Sequence, residues 1–355
     1  MDYLINKAGE KITPVGYEKI INYSEGMACI HNNNKNEIFN IEDNTVMTHK
    51  YDYVLPYSDG LALFKTSNRS GFINKKNKIV IPPSKNNYRS FKNGVCAFKL
   101  KGRWGFIDKY NEIIINPIYR DVWDFQEGFA GVRKGSNMGF IDKEGNEFGF
   151  THKYDYVDDF SSGLARVKKS GKMGFVNQVF EEVIPCIYDS ILNFSEGLAA
   201  VCIDNKWGFI NTLNEITIEC QYDFTALNFS EGLCGIVKNN KMGFIDKSGK
   251  LVIDYQYDHN LIINECQVTF VNNSCPIKCT KNNKQAYINK NGNIISNYFD
   301  VIYSTSEERG LVIENDKYGF VNSEGEIVID LKYDFAMSFK DGISIVTVKD
   351  KFYER

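Results

Sequence analysis

The segment Tyr188–Ile218, YDSILNFSEGLAAVCIDNKWGFINTLNEITI, recurs with variation along almost the whole 355-residue chain. Aligned on the glycine of Ser-Glu-Gly, the copies fall at Gly26, Gly60, Gly94, Gly128, Gly163, Gly197, Gly232, Gly310 and Gly342, most of them 34 or 35 residues apart. A period of that size marks a repeat array, in which each supersecondary unit leans on its neighbours because it cannot bury its apolar face alone. The long step between Gly232 and Gly310 holds a degenerate copy centred near Cys266. An array has no internal boundary, so the repeat overrides the usual length prior. Residues 1–355 read as one array, with a half-repeat at 1–14 and an irregular copy at about 257–300.

Each column of the repeat has a physical reading. Tyr-Asp opens the unit (Tyr154-Asp155, Tyr188-Asp189, Tyr222-Asp223, Tyr333-Asp334), an aromatic follows (Phe125, Phe160, Phe194, Phe229, Phe339), and then the Ser-Glu-Gly turn. Glycine recurring there implies positive φ or a tight approach. A short apolar run such as Leu198-Ala199-Ala200-Val201 predicts a strand. Lys206–Asn211, KWGFIN, predicts a second strand with Trp207 and Phe209 on one face and Gly208 and Ile210 on the other. The bulky column, Trp104, Met138, Met173, Trp207, Met242, Tyr318 and Phe352, is large, apolar and interchangeable, as a packing surface requires. The adjoining glycines, Gly105, Gly139, Gly174, Gly208, Gly243 and Gly319, leave room for a ring or backbone, or mark a bulge. Asp or Asn opens a second turn and Gly or Asn closes it three residues on, with Phe180 the exception, before a third strand such as Leu251-Val252-Ile253. The expectation is all-β: about ten three-stranded antiparallel repeats of about 34 residues and no helix.

These residues resemble the WG-repeat family. Trp-Gly is intact at Trp104-Gly105 and Trp207-Gly208, with Met-Gly at Met138, Met173 and Met242 and Tyr-Gly at Tyr318. The resemblance covers essentially the whole chain and departs from the pattern at Lys35–Asn40 and Lys284–Asn289. It implies a repeat array of the kind found in many bacterial proteins, with no catalytic residues in the motif.

The two ends of the chain complement each other. Tyr3-Leu4-Ile5-Asn6 stands for Gly-Phe-Ile-Asn, and Lys351-Phe352-Tyr353 is where a next copy would enter that strand. Ring-closed propellers pair their ends in this way. Ten three-stranded units would nevertheless leave a wide hole, so the expectation is an open, twisted array, with a closed propeller-like toroid as the alternative.

Composition narrows function by exclusion. A net charge of −3 with lysines and acids interspersed argues against a phosphate-binding surface, so nucleic acid is not an expected partner. No apolar run is long enough to span a bilayer and Met1–Pro14 lacks the features of a secretory signal, so no membrane is expected either. Nine cysteines at irregular spacing suit a reducing compartment, and a cytoplasmic location is the default. The four histidines stand outside the columns, and the periodic carboxylates read as turn chemistry, so neither catalysis nor a cofactor is expected.

The irregular copy gathers His259, Cys266, Cys275 and Cys279, a candidate binding surface in which Cys275 and Cys279 could pair on a metal, although a decayed repeat with a longer loop accounts for it better. A basic column (Arg69, Arg103, Lys172, Lys206, Lys241, Lys317) and an acidic one (Glu25, Asp59, Glu127, Glu196, Glu231, Asp341) predict two charged rows. These are either solvated edges or a track for a partner. Three functions follow: a scaffold for an unknown protein partner; a carbohydrate or cell-envelope binder, if the tyrosines form exposed rows; and an enzyme, if a cleft joins Asp158, Asp159, Glu307 and Glu308.

Overall fold

The computed structural model describes residues 1–152, 154–225, 228–258, 262–263, 266–278 and 284–349. The chain forms two compact units, Gly16–Ile187 and Met1–Val15 with Tyr188–Arg355. Both are built from small antiparallel sheets laid down in chain order. The copy at Ser190–Tyr222 shows the plan. A two-residue strand, Ser190–Ile191, pairs with Leu198–Ile203, which pairs with Lys206–Asn211, which pairs with Ile216–Tyr222. Eight sheets among the described residues have four strands in this order. The four-stranded sheet therefore exceeds the three strands expected from sequence. In six of the eight the added strand is only two residues long, too short for side-chain alternation to reveal it, and in the other two it is the six-residue strand Lys19–Ser24 or Tyr156–Ser161.

The Trp-Gly glycine faces a bulge. Trp207 pairs with Tyr222 and Phe209 with Ile218, so one residue on the inner strand opposes three on the outer one. The same shift occurs between Trp104–Phe106 and Ile115–Tyr119. The surplus backbone folds over the glycine. A Cβ at Gly243 or Gly319 would lie 2.7 Å from the carbonyl oxygen of Ile253 or Ile329. At Gly105, Gly139, Gly174 and Gly208 the carbonyls of Ile115, Phe148, Ile184 and Ile218 come closer still. No side chain fits.

The Ser-Glu-Gly turn is tighter than a single special glycine. Ser195 and Leu198 exchange both backbone hydrogen bonds, and Glu196 and Gly197 both have positive φ (51° and 86°), which makes a two-residue type I′ hairpin. This geometry corrects one column. In the ninth copy the turn is Ser306–Arg309 with Glu307 and Glu308 at its centre (φ 52° and 67°), so Glu308, not Gly310, holds the glycine position. Gly310 is instead buried against Tyr287. The irregular copy also keeps this hairpin, at Val271–Ser274, with Asn272 and Asn273 in its centre.

Consecutive sheets are joined by aromatic pairs at a fixed offset. The Phe of one copy's Gly-Phe meets the aromatic before the next copy's turn: Phe72–Phe91 and Phe106–Phe125 at 4.9 Å, Phe209–Phe229 at 4.9 Å, Phe244–Phe270 at 5.2 Å and Phe320–Phe339 at 4.8 Å. Most meet edge to face, the geometry that ring quadrupoles favour. These rings are buried, so the core is a series of small clusters, each shared by two neighbouring sheets.

The chain ends meet inside one sheet. Asp2–Asn6 pairs antiparallel with Ile343–Thr347 over five residues, and the N-terminal amine donates to the Val348 carbonyl at 2.7 Å. Lys7 then reaches Glu307 at 3.7 Å, as Lys75 reaches Glu25 at 3.3 Å in a regular copy. The half-repeat thus completes the last copy, the end-to-end pairing that the residues at the two termini predict.

Candidate functional site

The acidic column does structural work. The turn acid lies at positive φ. Its carboxylate accepts the turn N–H of the next copy: Glu25 from Gly60 at 3.0 Å, Asp59 from Gly94 at 2.7 Å, Glu127 from Gly163 at 2.8 Å, Glu231 from Asn273 at 2.9 Å and Glu307 from Gly342 at 2.7 Å. Charge-assisted bonds of this kind are the stronger sort. A lysine from the following turn closes the clamp, as Lys290 does on Glu231 at 3.2 Å. The basic column is used similarly. Lys206, Lys241 and Lys317 pair with Asp223, Asp258 and Asp334 of the next copy at 2.6, 2.9 and 2.6 Å. Lys206 holds the Asp223 carboxyl below the usual carboxylate range, and Lys317 does the same to Asp334. Sequence reasoning saw both rows but missed that they grip neighbouring repeats, since contacts across about 17 or 35 positions leave no local signature.

The tyrosine column is buried. Tyr119, Tyr154, Tyr188, Tyr222 and Tyr333 are 1–4% exposed. The hydroxyl of Tyr188 donates to Asn214 at 2.7 Å and that of Tyr257 to the Gly292 carbonyl at 3.0 Å. Among the described residues the tyrosine column therefore offers no exposed row for stacking on sugars, and the carbohydrate reading loses its basis.

The Trp-Gly residues take supporting positions. Trp207 is half-buried, 5.8 Å from Phe224 of the next sheet, and Trp104 is covered by the Arg89 guanidinium at 4.7 Å and the Lys99 ammonium at 5.4 Å. Of the irregular-copy candidates, His259 and Cys279 lie outside the described residues, and of Cys266 only its backbone pairing with Ile263 is described. Cys275 is fully buried, and burial holds its thiol well above the usual range. Burial likewise pushes the Cys29 thiol up to about 12. Among the described residues no cluster of His, Cys, Asp and Glu is arranged to hold a metal.

The non-repeated acids divide between the two units. Glu307 and Glu308 form the turn already described. Asp158 and Asp159 sit together at a bulge in the Tyr156–Ser161 strand. Arg166 replaces the small residue found at Ala200 and Gly235 and binds Asp158 through Nε at 3.0 Å. Asp159 has no such partner, and its Oδ1 is buried without a hydrogen bond among the described residues. Burial first, then the neighbouring Asp158 and Asp124, raise its carboxyl to about 6.

What the repeat leaves open is an apolar edge. On the outer strands the pattern is two exposed residues and then one buried, so Ile113 (51%) and Ile114 (36%) face solvent while Ile115 anchors the strand. In the same unit Ile79-Val80 repeat this arrangement, and in the other unit Leu251-Val252 and Ile327-Val328 do so. That second unit also carries an apolar groove of about 560 Å³ lined by Tyr303, Tyr318, Phe335 and Met337.

The description "WG containing repeat" matches residues 4–35, 38–69, 71–104, 104–137, 138–172, 173–207, 207–241, 242–259, 286–318 and 318–352. No curated protein matches the sequence. Among solved structures, one titled as the eukaryotic initiation factor superposes with a TM-score of 0.50 at 11% identity, over 82% of this chain and 92% of that one. The extracellular domain of a putative hybrid two-component system from B. thetaiotaomicron aligns at 13% identity and a TM-score of 0.30, over 87% of this chain and 50% of that one. The first of these shows a likeness of β-repeat fold alone.

Proposed function

Because this chain belongs to the WG-repeat family, in which the repeat itself supplies structure, we propose that it is a non-enzymatic scaffold presenting an extended surface to a protein partner. The observation that carries the reading is the recurring pair of exposed aliphatics on the outer strands, Ile79-Val80, Ile113-Ile114, Leu251-Val252 and Ile327-Val328. A soluble surface strand ordinarily alternates apolar with polar residues; consecutive exposed aliphatic residues recurring in four copies fit a contact face. Most of the charged and aromatic columns are taken up in joining repeats, which leaves this face for binding. The use of Cys29, Cys96, Cys202 and Cys234 as small buried hydrophobes supports a cytoplasmic setting.

The test is affinity capture from the native cell with the full chain as bait, read by mass spectrometry beside an Ile114→Lys, Ile79→Lys variant that melts like wild type. Proteins retained by wild type and lost from the variant support the reading. Retention that ignores the substitutions, or none above a bead control, rejects it.

A further inference from the structure

In most copies the residue after the opening aromatic is an aspartate, and in three of them it is seen to serve two groups at once. Asp223 accepts from the Lys206 ammonium at 2.6 Å and from the Asn239 backbone N–H at 2.9 Å. Asp300 does the same for Lys284 and Asn315, and Asp334 for Lys317 and Lys349. There the arrangement neutralises the tip of the central hairpin.

In the unit Gly16–Ile187 it is broken at two successive junctions. Arg120 occupies the aspartate position, its N–H on the Arg133 carbonyl as that of Asp189 is on Cys202. With Trp104 paired to Tyr119 as Trp207 is to Tyr222, Arg120 stands opposite Arg103 where Asp223 stands opposite Lys206. One copy earlier Lys85-Asn86 replace the aspartate opposite Arg69. Arg69, Lys85, Lys101, Arg103 and Arg120 are all exposed, and none has an acidic partner among the described residues. Two residues before Arg120, near the end of the outer strand, Ile118 is 48% exposed. The result is a short cationic rim, with two guanidinia able to take carboxylates bidentately, beside an apolar contact.

We propose that this rim, centred on Arg103 and Arg120, docks an acidic segment of a protein partner whose carboxylates take the places that the chain's own aspartates fill in other copies. The proposal rests on the scaffold reading above. Two observations favour a peptide over a nucleic acid. The rim is short: Asp52 still holds the Ser67 N–H on one side, and Lys134 is taken up by Glu147 at 2.9 Å on the other. It also offers no bare ring for a base to stack on, since Arg89 and Lys99 cover Trp104.

The experiment titrates the full-length protein against a fluorescein-labelled Glu-Leu repeat peptide by fluorescence anisotropy. The Gln-Leu analogue and a labelled single-stranded RNA serve as comparisons. The expected result is saturable binding of the acidic peptide alone, weakening as salt rises. Arg120→Asp restores the repeat's own pairing, so it should lower affinity about tenfold without lowering the melting temperature. Lys317→Gln, in the other unit, should leave binding unchanged. Absence of binding, equal binding of the Gln-Leu analogue, or full binding by Arg120→Asp overturns the proposal. So does tighter RNA binding that depends on Arg103 and Arg120. If the peptide fails while cellular partners are still lost on Ile114→Lys, only the docking rim is wrong; if that capture fails too, the scaffold reading falls with it.

Discussion

At the scale of single residues, two positions show how closely the repeat is constrained. Gly208 lies under the bulge of its outer strand, with the Ile218 carbonyl where a side chain would begin. Gly208→Val must push that backbone away, at a cost of about 2–3 kcal/mol. Urea unfolding should report the loss, and hydrogen exchange should place it in the sheet spanning Ser190–Tyr222 and its neighbours. An unshifted midpoint would show that the bulge is not obligatory. Asp159 makes the opposite kind of prediction. Burial first, then the charges of Asp158 and Asp124, outweigh Lys92 and Arg89 and raise its folded-state carboxyl to about 6, above the ordinary range. The folded protein therefore binds this proton more tightly than the unfolded chain. The resulting stability is complete below the unfolded value near 4 and is lost as pH rises through about 6. Asp159→Asn should accordingly stabilise the protein at pH 7.5, by roughly 1 kcal/mol after solvent screening, and change little at pH 4. Melts at the two pH values decide it; a variant less stable at pH 7.5 would mean that the carboxylate has a favourable partner. Phe180 shows how the array absorbs an exception. It holds a left-handed φ of 65° where other copies use Gly or Asn, and its ring lies flat on Phe148 at 4.5 Å. Phe148 occupies the position of Ile115 and Ile218 in its strand, so the two departures compensate each other.

At the scale of the element, the hairpin turns are the joints. Glu196 accepts the Gly232 N–H through both carboxylate oxygens, at 3.2 and 3.1 Å, while Lys247 approaches it at 3.8 Å. Glu196→Gln keeps the shape and one acceptor but loses the charge, which should cost about 1 kcal/mol. The diagnostic reading is faster exchange of the Gly232 amide with strand amides unaffected; an unchanged Gly232 would demote the clamp to a surface contact. The edges are managed as well. Pro117 and Pro185 lie in the outer strands, where a missing N–H faces no inner ladder, and they make those edges poor templates for further strands. The exposed aliphatics beside them can then serve for contact with less risk of aggregation.

For the whole molecule, cohesion comes from many similar junctions and not from one large core. Within the unit that contains both termini, Asp2–Asn6 supplies the strand that completes the last copy. Deleting Tyr333–Arg355 removes a copy and also leaves that half-repeat without its partner. The loss should exceed that for an equally long internal copy, and protection of the Leu4 and Ile5 amides should vanish. If those amides stay protected, the terminal pairing carries no stability.

Much of this was legible from the residues alone. The period, the all-β class, the turn glycines and the packing role of the Trp column follow from local chemistry, which is read afresh in every copy. The bulge over Gly208 was visible only as one of several possible reasons for a recurring glycine. The positive φ of Glu196, the clamp from Glu231 to Asn273 and the burial of Tyr188 depend on which groups adjoin across a whole repeat. The same holds for the cationic rim. In the linear sequence Arg103 and Arg120 are two basic residues among many acids. Only the register that sets Trp104 against Tyr119 puts them at one hairpin tip with no aspartate between them. Spacing along the chain records what each copy must contain. It does not record which neighbour each side chain reaches, because that is decided by how far one sheet is displaced from the next.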